Sequence, residues 1–274
     1  MILGADFLTL ILVLAFASVV AYKVSFLKNK TIGHFSLLQI VYLVIIPGFL
    51  FPLAYSYLQS ILARPLNEQI IISDGLLVNV VLLSMLFTYG GIAVHAATKM
   101  MSEVLRKEKS EVAKRANELN KYFHLKFSHN LVYSGIIVVV FSLTLLELNH
   151  VSNYNYKSIV PAIVKGVVLG LSLLTGMFFY TRSTDDLVGR WSDLKVTFIV
   201  FWLGFMTLLY GVRKIDPDLD EYQLLIPALL SLSLIGLLNV VLVVRKLKRG
   251  GWKVRVRENW LKRILKTVSG GMRV

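Results

Sequence analysis

Lys165 stands inside the apolar run IVPAIVKGVVLG, residues 159–170, where an ammonium group either marks a site or reaches water. A charge at the centre of a membrane helix costs about 2.5–3.5 kcal/mol on insertion scales, less near an interface, where a long lysine can snorkel. Lys165 lies about 10 Å into its run at 1.5 Å per residue. Glu147 closes the preceding apolar run. The short link between the two predicts antiparallel neighbours and a Glu147–Lys165 ion pair. Two roles stay open for that pair, a structural one and a place on an anion- or proton-linked pathway.

The segment IIPGFLFP brings Pro47, Gly48 and Pro52 to the middle of another apolar run. Proline removes a helical N–H, and in lipid the freed carbonyl needs another partner. Broken spans of this kind expose backbone to a substrate in many transporters. Pro47, Gly48, Pro52, Glu147 and Lys165 are therefore the candidate pathway residues.

Other chemistry finds little support. The five histidines are His34, His95, His124, His129 and His150, and only HLKFSH offers a close pair. On an α-helix its five-residue offset turns the two rings roughly 140° apart, so no metal site is expected. His95 is expected as an interfacial hydrogen-bonding residue. Asp185 and Asp186 suit a solvated loop, and DPDLDE, residues 216–221, lacks the glycine turn of a calcium loop. There is no HExxH, phosphate loop or GxGxxG, and no nucleophile beside a base. No catalytic residue, enzymatic activity or cofactor is expected. With no cysteine, disulfides and thiolate metal sites are excluded.

The elements that position these residues follow from hydropathy. Of 274 residues 56% are hydrophobic, and the mean hydropathy of +0.68 is too high for an ordinary soluble domain. About 20 apolar residues cross a hydrocarbon core. Seven stretches qualify, near 6–22, 36–58, 75–97, 131–149, 158–181, 196–212 and 222–244, which predicts an all-α polytopic bundle. The first has no cation before it and Lys23, Lys28 and Lys30 after it, so a retained span is expected rather than a signal peptide. Loops on one side of a seven-span layout hold 25 Lys or Arg, those on the other side 4. The positive-inside rule then places the N-terminus outside and the C-terminus in the cytoplasm of a cell-membrane protein. In the fifth stretch Ala162, Gly166 and Gly170 recur every fourth residue, a face that lets another helix approach closely.

Residues 98–123 are expected to continue the third span as a helix, with Met101, Leu105, Val112, Ala116, Leu119 and Phe123 on one stripe. That stripe calls for a partner: the protein's own underside, the headgroup layer or a second protein. Residues 1–244 then form the membrane domain and 245–274 a basic amphipathic tail. The tail carries +10 of the net +14. Such a juxtamembrane cluster is drawn to anionic lipid headgroups rather than to nucleic acid. Trp252 and Trp260 with Lys262, Arg263 and Lys266 are the expected membrane-surface residues.

A retinal protein needs a lysine in its last span, and 222–244 has none. The expectation is a transporter or channel for a small solute or ion, or the membrane subunit of one. The alternative is a scaffold or sensor acting through 98–123 and the tail. Transport predicts a hydrated cavity reaching Pro47 and Lys165, and a scaffold predicts a dry bundle with an exposed apolar stripe on 98–123.

Overall fold

The computed structural model of the chain describes residues 7–33, 35–67, 72–108, 110–151, 158–181, 192–212 and 222–250. The chain is 87% helical, which settles the fold class as all-α. Helix α1 is Phe7–Lys23 and α2 is Leu37–Leu62; α3 is Asp74–Lys107 and α4 is Glu111–Leu148. Helix α5 is Val160–Thr181, α6 is Ser192–Met206 continued by a π turn over Thr207–Val212, and α7 is Leu225–Gly250. Between α1 and α2 lie a helical turn, Ser25–Asn29, and a hairpin of β1 (Thr31–Ile32) and β2 (Phe35–Ser36). Gly33 takes the hairpin's positive φ of 59°, a conformation in which a side chain would be strained.

Among the described residues four helices are long and apolar enough to cross a membrane: Leu37–Leu62, Asp74–Ser102, Glu111–Leu148 and Leu225–Arg245. Such helices bury their backbone polar groups in their own hydrogen bonds, as a bilayer demands, and the chain is a membrane protein. The other three apolar stretches correspond to helices of 10–17 residues: Phe7–Ser18, Val160–Thr175 and Phe198–Tyr210.

Local chemistry sets the helix starts. Ser36 and Gln39 form a reciprocal capping box at α2, Ser36 N donating to Gln39 Oε1 at 2.7 Å and Gln39 N to Ser36 Oγ at 3.3 Å. Ser110 caps α4 by accepting from Ala113 N at 3.2 Å. That cap corrects the expected continuous helix over 98–123. Glu108 is extended (φ −82°, ψ 125°), as is Ser110 (φ −69°, ψ 153°), so the chain reverses there and 111–123 returns along α3. The contact it makes is polar: Asn120 Nδ2 donates to Thr98 O and Ser102 Oγ, both at 2.7 Å. Met101, Val112 and Leu119 of the expected stripe are exposed, as is Val104.

At 1.5 Å per residue α3 and α4 run roughly 50–57 Å, well past a hydrocarbon core of about 30 Å. Glycines let them approach closely. A Cβ on Gly91 would come within 2.8 Å of Ser128 O, and one on Gly135 would overlap the Thr88 hydroxyl and reach within 2.9 Å of Ser84 O. Helices α5 and α7 pair the same way, with Gly166 against Pro227 and Leu230, and Gly170 against Ser231 and Leu234; Ala162 is fully buried beside them. The small-residue face of α5 thus lies inside the molecule. Helix α6 lays the Trp202 ring on Gly236 and donates Trp202 Nε1–H to Ser233 Oγ at 3.1 Å.

Candidate functional site

Two polar clusters lie at opposite ends of the bundle with an apolar middle between them. At the first end, the close of α2, the start of α3, the close of α4 and the approach to α7 converge on Glu147, which is fully buried. Its Oε1 accepts from Gln223 N at 2.9 Å and Tyr57 OH at 3.2 Å, and its Oε2 from Leu224 N at 2.8 Å. Leu224 O takes the first helical bond of α7, from Ala228 N, so Glu147 places a carboxylate on that helix's N-terminus, where the backbone dipole favours an anion. Arg64 Nη1 stands 3.9 Å from Oε1, an ion pair by charge but too long for a hydrogen bond. The cation beside Glu147 is therefore Arg64, where the sequence suggested Lys165. The expectation missed Arg64 because it lies in a loop whose fold no periodicity encodes.

The same end is stitched by loop contacts. Asn149 Nδ2 donates to Ile72 O at 2.6 Å and Asp74 Oδ1 at 2.8 Å. Asn67 Nδ2 donates to Leu148 O and His150 O, and Val151 N donates to Pro65 O. His150 reaches Arg64 O with Nδ1 at 2.8 Å and Asp74 Oδ2 with Nε2 at 3.1 Å. Phe7 stacks on Tyr57 at 4.4 Å and closes the edge. This arrangement fastens helices to one another.

The middle holds a cavity of only about 70 Å³, with an apolar lining that includes Leu50, Phe51, Met85, Ile136 and Val140. The expected break in the second span is absent. Helix α2 runs through as one rod, with a π turn over Val41–Ile45 ahead of Pro47. Leu43 O, the carbonyl that position 47 would serve in a regular helix, lies 3.5 Å from Tyr89 OH. Pro47 is buried, while Gly48 and Pro52 are exposed. Pro47, Gly48, Pro52 and Lys165 line neither this cavity nor the larger one described next.

At the other end, the close of α1, the start of α2, and the facing stretches of α3 and α4 enclose a cleft of about 740 Å³. Ligand pockets commonly measure 300–1,000 Å³. Among the described residues its walls carry Lys23, Gln39, Tyr42, His95, Lys99, His124, Ser128, His129 and Tyr133, with apolar Leu38, Ile92, Leu125 and Val132 between them, and no carboxylate. The imidazoles touch: His95 and His124 stack at 4.2 Å, and His129 meets His95 edge-on at 4.7 Å.

This trio was hidden by local geometry. Residues Phe123–Phe127 form a π turn, whose i→i+5 hydrogen bonds bring residues five apart toward one face. The roughly 140° offset between His124 and His129 holds for an α-helix, and the π turn removes it. His129 Nδ1 accordingly reaches His124 O at 3.0 Å. His124 Nδ1 lies 3.3 Å from His95 O and 3.2 Å from Thr98 Oγ1. A carbonyl only accepts, so both Nδ1 atoms carry hydrogen and Nε2 is where each ring gains or loses its second proton. His95 Nδ1 is buried without a hydrogen-bond partner among the described residues.

Among the described residues no group of three or more His, Cys, Asp or Glu is placed to hold a metal ion. The near-parallel His95 and His124 rings, 23° apart, do not aim their nitrogens at one point. Trp252, Trp260, Lys262, Arg263, Lys266, the Asp185–Asp186 pair, the 216–221 acids and His34 lie outside the described residues. No family model matches the chain, and no curated protein or solved structure shows significant similarity to it, so its functional reading rests on the cleft.

Proposed function

We propose that the chain is a seven-span protein of the cell membrane, N-terminus outside, that takes a small solute or ion into the His–Lys cleft from the cytoplasm and passes it across, alone or as a subunit of a larger transporter. The observation that carries this reading is the cleft itself: about 740 Å³, lined by two lysines and three histidines among apolar residues, at one end of a membrane bundle whose other end is fastened around Glu147. Lys23 and Lys99 line it and belong to the lysine- and arginine-rich side of the chain, which the positive-inside rule assigns to the cytoplasm. Leu50, Phe51, Met85 and Ile136 then form the apolar barrier that must part for passage.

The test uses purified protein in liposomes with three probes, sulfate, glycerol and potassium. At least one should cross faster than through protein-free vesicles, and alkylating a Val132→Cys variant with a bulky maleimide should stop it, because Val132 lines the cleft. Absence of protein-dependent movement for all three, in either direction, would remove the transport reading.

A scaffold or sensor role has one observation in its favour: Met101, Val104, Val112 and Leu119 are exposed on the α3–α4 hairpin. That apolar surface suits a protein partner or the headgroup layer, and the basic tail suits anionic lipid.

A further inference from the structure

We propose that the cleft is a binding site for an oxyanion of the phosphate or sulfate type, either a free ion or ester or the headgroup of an anionic lipid. This names the solute class for the transport reading and rests on it only for the direction of use, since binding at equilibrium requires no passage.

Charge decides the class. Lysines from two different helices, Lys23 of α1 and Lys99 of α3, face one space with three imidazoles, and among the described residues no carboxylate shares the lining. Cations gathered at a low-dielectric wall repel one another and focus a field that attracts an anion. A cation would meet the reverse, and an apolar solute would desolvate the ammonium and imidazole groups without compensating them. Ammonium groups and Nε2–H of an imidazolium are donors suited to an oxyanion's several lone pairs, while the Tyr42 and Ser128 hydroxyls already donate to Ser18 O and His124 O. Buried His95 Nδ1, which has no hydrogen-bond partner among the described residues, is a further polar atom here.

The histidine geometry adds a proton. With Nδ1–H of His124 and His129 turned to carbonyls, each ring becomes a full donor by taking a proton on Nε2. Two imidazolium rings stacked at 4.2 Å repel, and Lys99 and His129 add to the repulsion. A bound oxyanion offsets it. The charged or titratable groups lining the cleft are Lys23 from α1, Tyr42 from α2, His95 and Lys99 from α3, and His124, His129 and Tyr133 from α4. Only the imidazoles ordinarily change charge between pH 5 and 8. Oxyanion binding that protonates a ring takes up that proton, so binding strengthens as pH falls.

The test is radiolabelled sulfate binding to the full chain in phosphatidylcholine nanodiscs, sulfate being chosen because its own charge is constant over that range. Sulfate should bind, and more tightly as pH falls. Lys23→Gln and Lys99→Gln should each weaken it about tenfold, the order expected for one charge-assisted bond, and Lys99→Arg should retain it. Lys23 is exposed, so its variant remains informative if the Lys99 variant folds poorly. A second arm adds phosphatidylglycerol. Competition with sulfate identifies a lipid headgroup as the source, and undiminished sulfate binding identifies a free oxyanion. No saturable sulfate binding, or binding indifferent to both lysines and to pH, would overturn the proposal. Sulfate binding without flux of any probe would leave it standing while the transport reading falls, and flux of glycerol or potassium without sulfate binding would do the converse.

Discussion

Replacing Glu147 by leucine should cost the protein about 3–5 kcal/mol of stability, the range for removing one partner of a buried ion pair. The substitution strips acceptors from Gln223 N, Leu224 N and Tyr57 OH and leaves the Arg64 guanidinium beside an apolar side chain. Glu147→Gln retains one acceptor oxygen and should lose less, about 1.5–3 kcal/mol, the worth of hydrogen bonds to a charged group. Adding Arg64→Met to Glu147→Leu should recover part of the loss, because the stranded cation goes with it. Thermal unfolding of the four proteins in detergent reads this cycle. A Glu147→Leu protein that melts with the parent would mean that the carboxylate does not hold α7 to the end of α4.

The second large effect belongs to the glycines between α3 and α4. Gly135→Ala should destabilise by about 1–3 kcal/mol, as overpacking does, because the new Cβ collides with the Thr88 side chain and with Ser84 O at 2.9 Å. Thr88→Ala in the same chain should restore part of the loss and not all of it, since the Ser84 contact is backbone. Gly90→Ala is the control, with nothing within 4 Å of its Cβ. Equal melting of the Gly135 and Gly90 variants would contradict the close approach of the two helices. Because His95 and Lys99 ride on α3 and His124 and His129 on α4, a splayed pair should also weaken sulfate binding.

Gly90 and Gly91 show where sequence reasoning stops. Both sit in one slim stretch, yet only Gly91 touches α4, and that difference follows from helix rotation, which composition does not record. The small-residue period of α5 was readable because four-residue spacing needs no knowledge of the partner. The apolar stretches could likewise be located from hydropathy alone. The reversal at 108–110 was hidden because the apolar stripe from Met101 to Phe123 keeps its helical period across it. Ser110, three residues ahead of the backbone donor it caps, was the available signal for a helix start. Once the reversal is granted, residues equidistant from it face each other: Asn120 meets Thr98, His124 meets His95, and Ser128 meets Gly91. The histidine trio then follows from pairing α3 with α4, except for His129, which also needs the π turn. Pro47, Gly48 and Pro52 misled for the opposite reason. Their chemistry permits a broken span, and a single π turn absorbed the disturbance instead.

The proposed function stands on a solute cleft that opens to the cytoplasm, with the bundle fastened around Glu147 at its outer end. The chain has no cysteine, so a single Val132→Cys substitution reports on the cleft without background. A membrane-impermeant thiol reagent applied to sealed vesicles of either orientation is the decisive measurement. The account predicts reaction from the cytoplasmic face alone, slowed by sulfate; reaction from the outer face alone would contradict it.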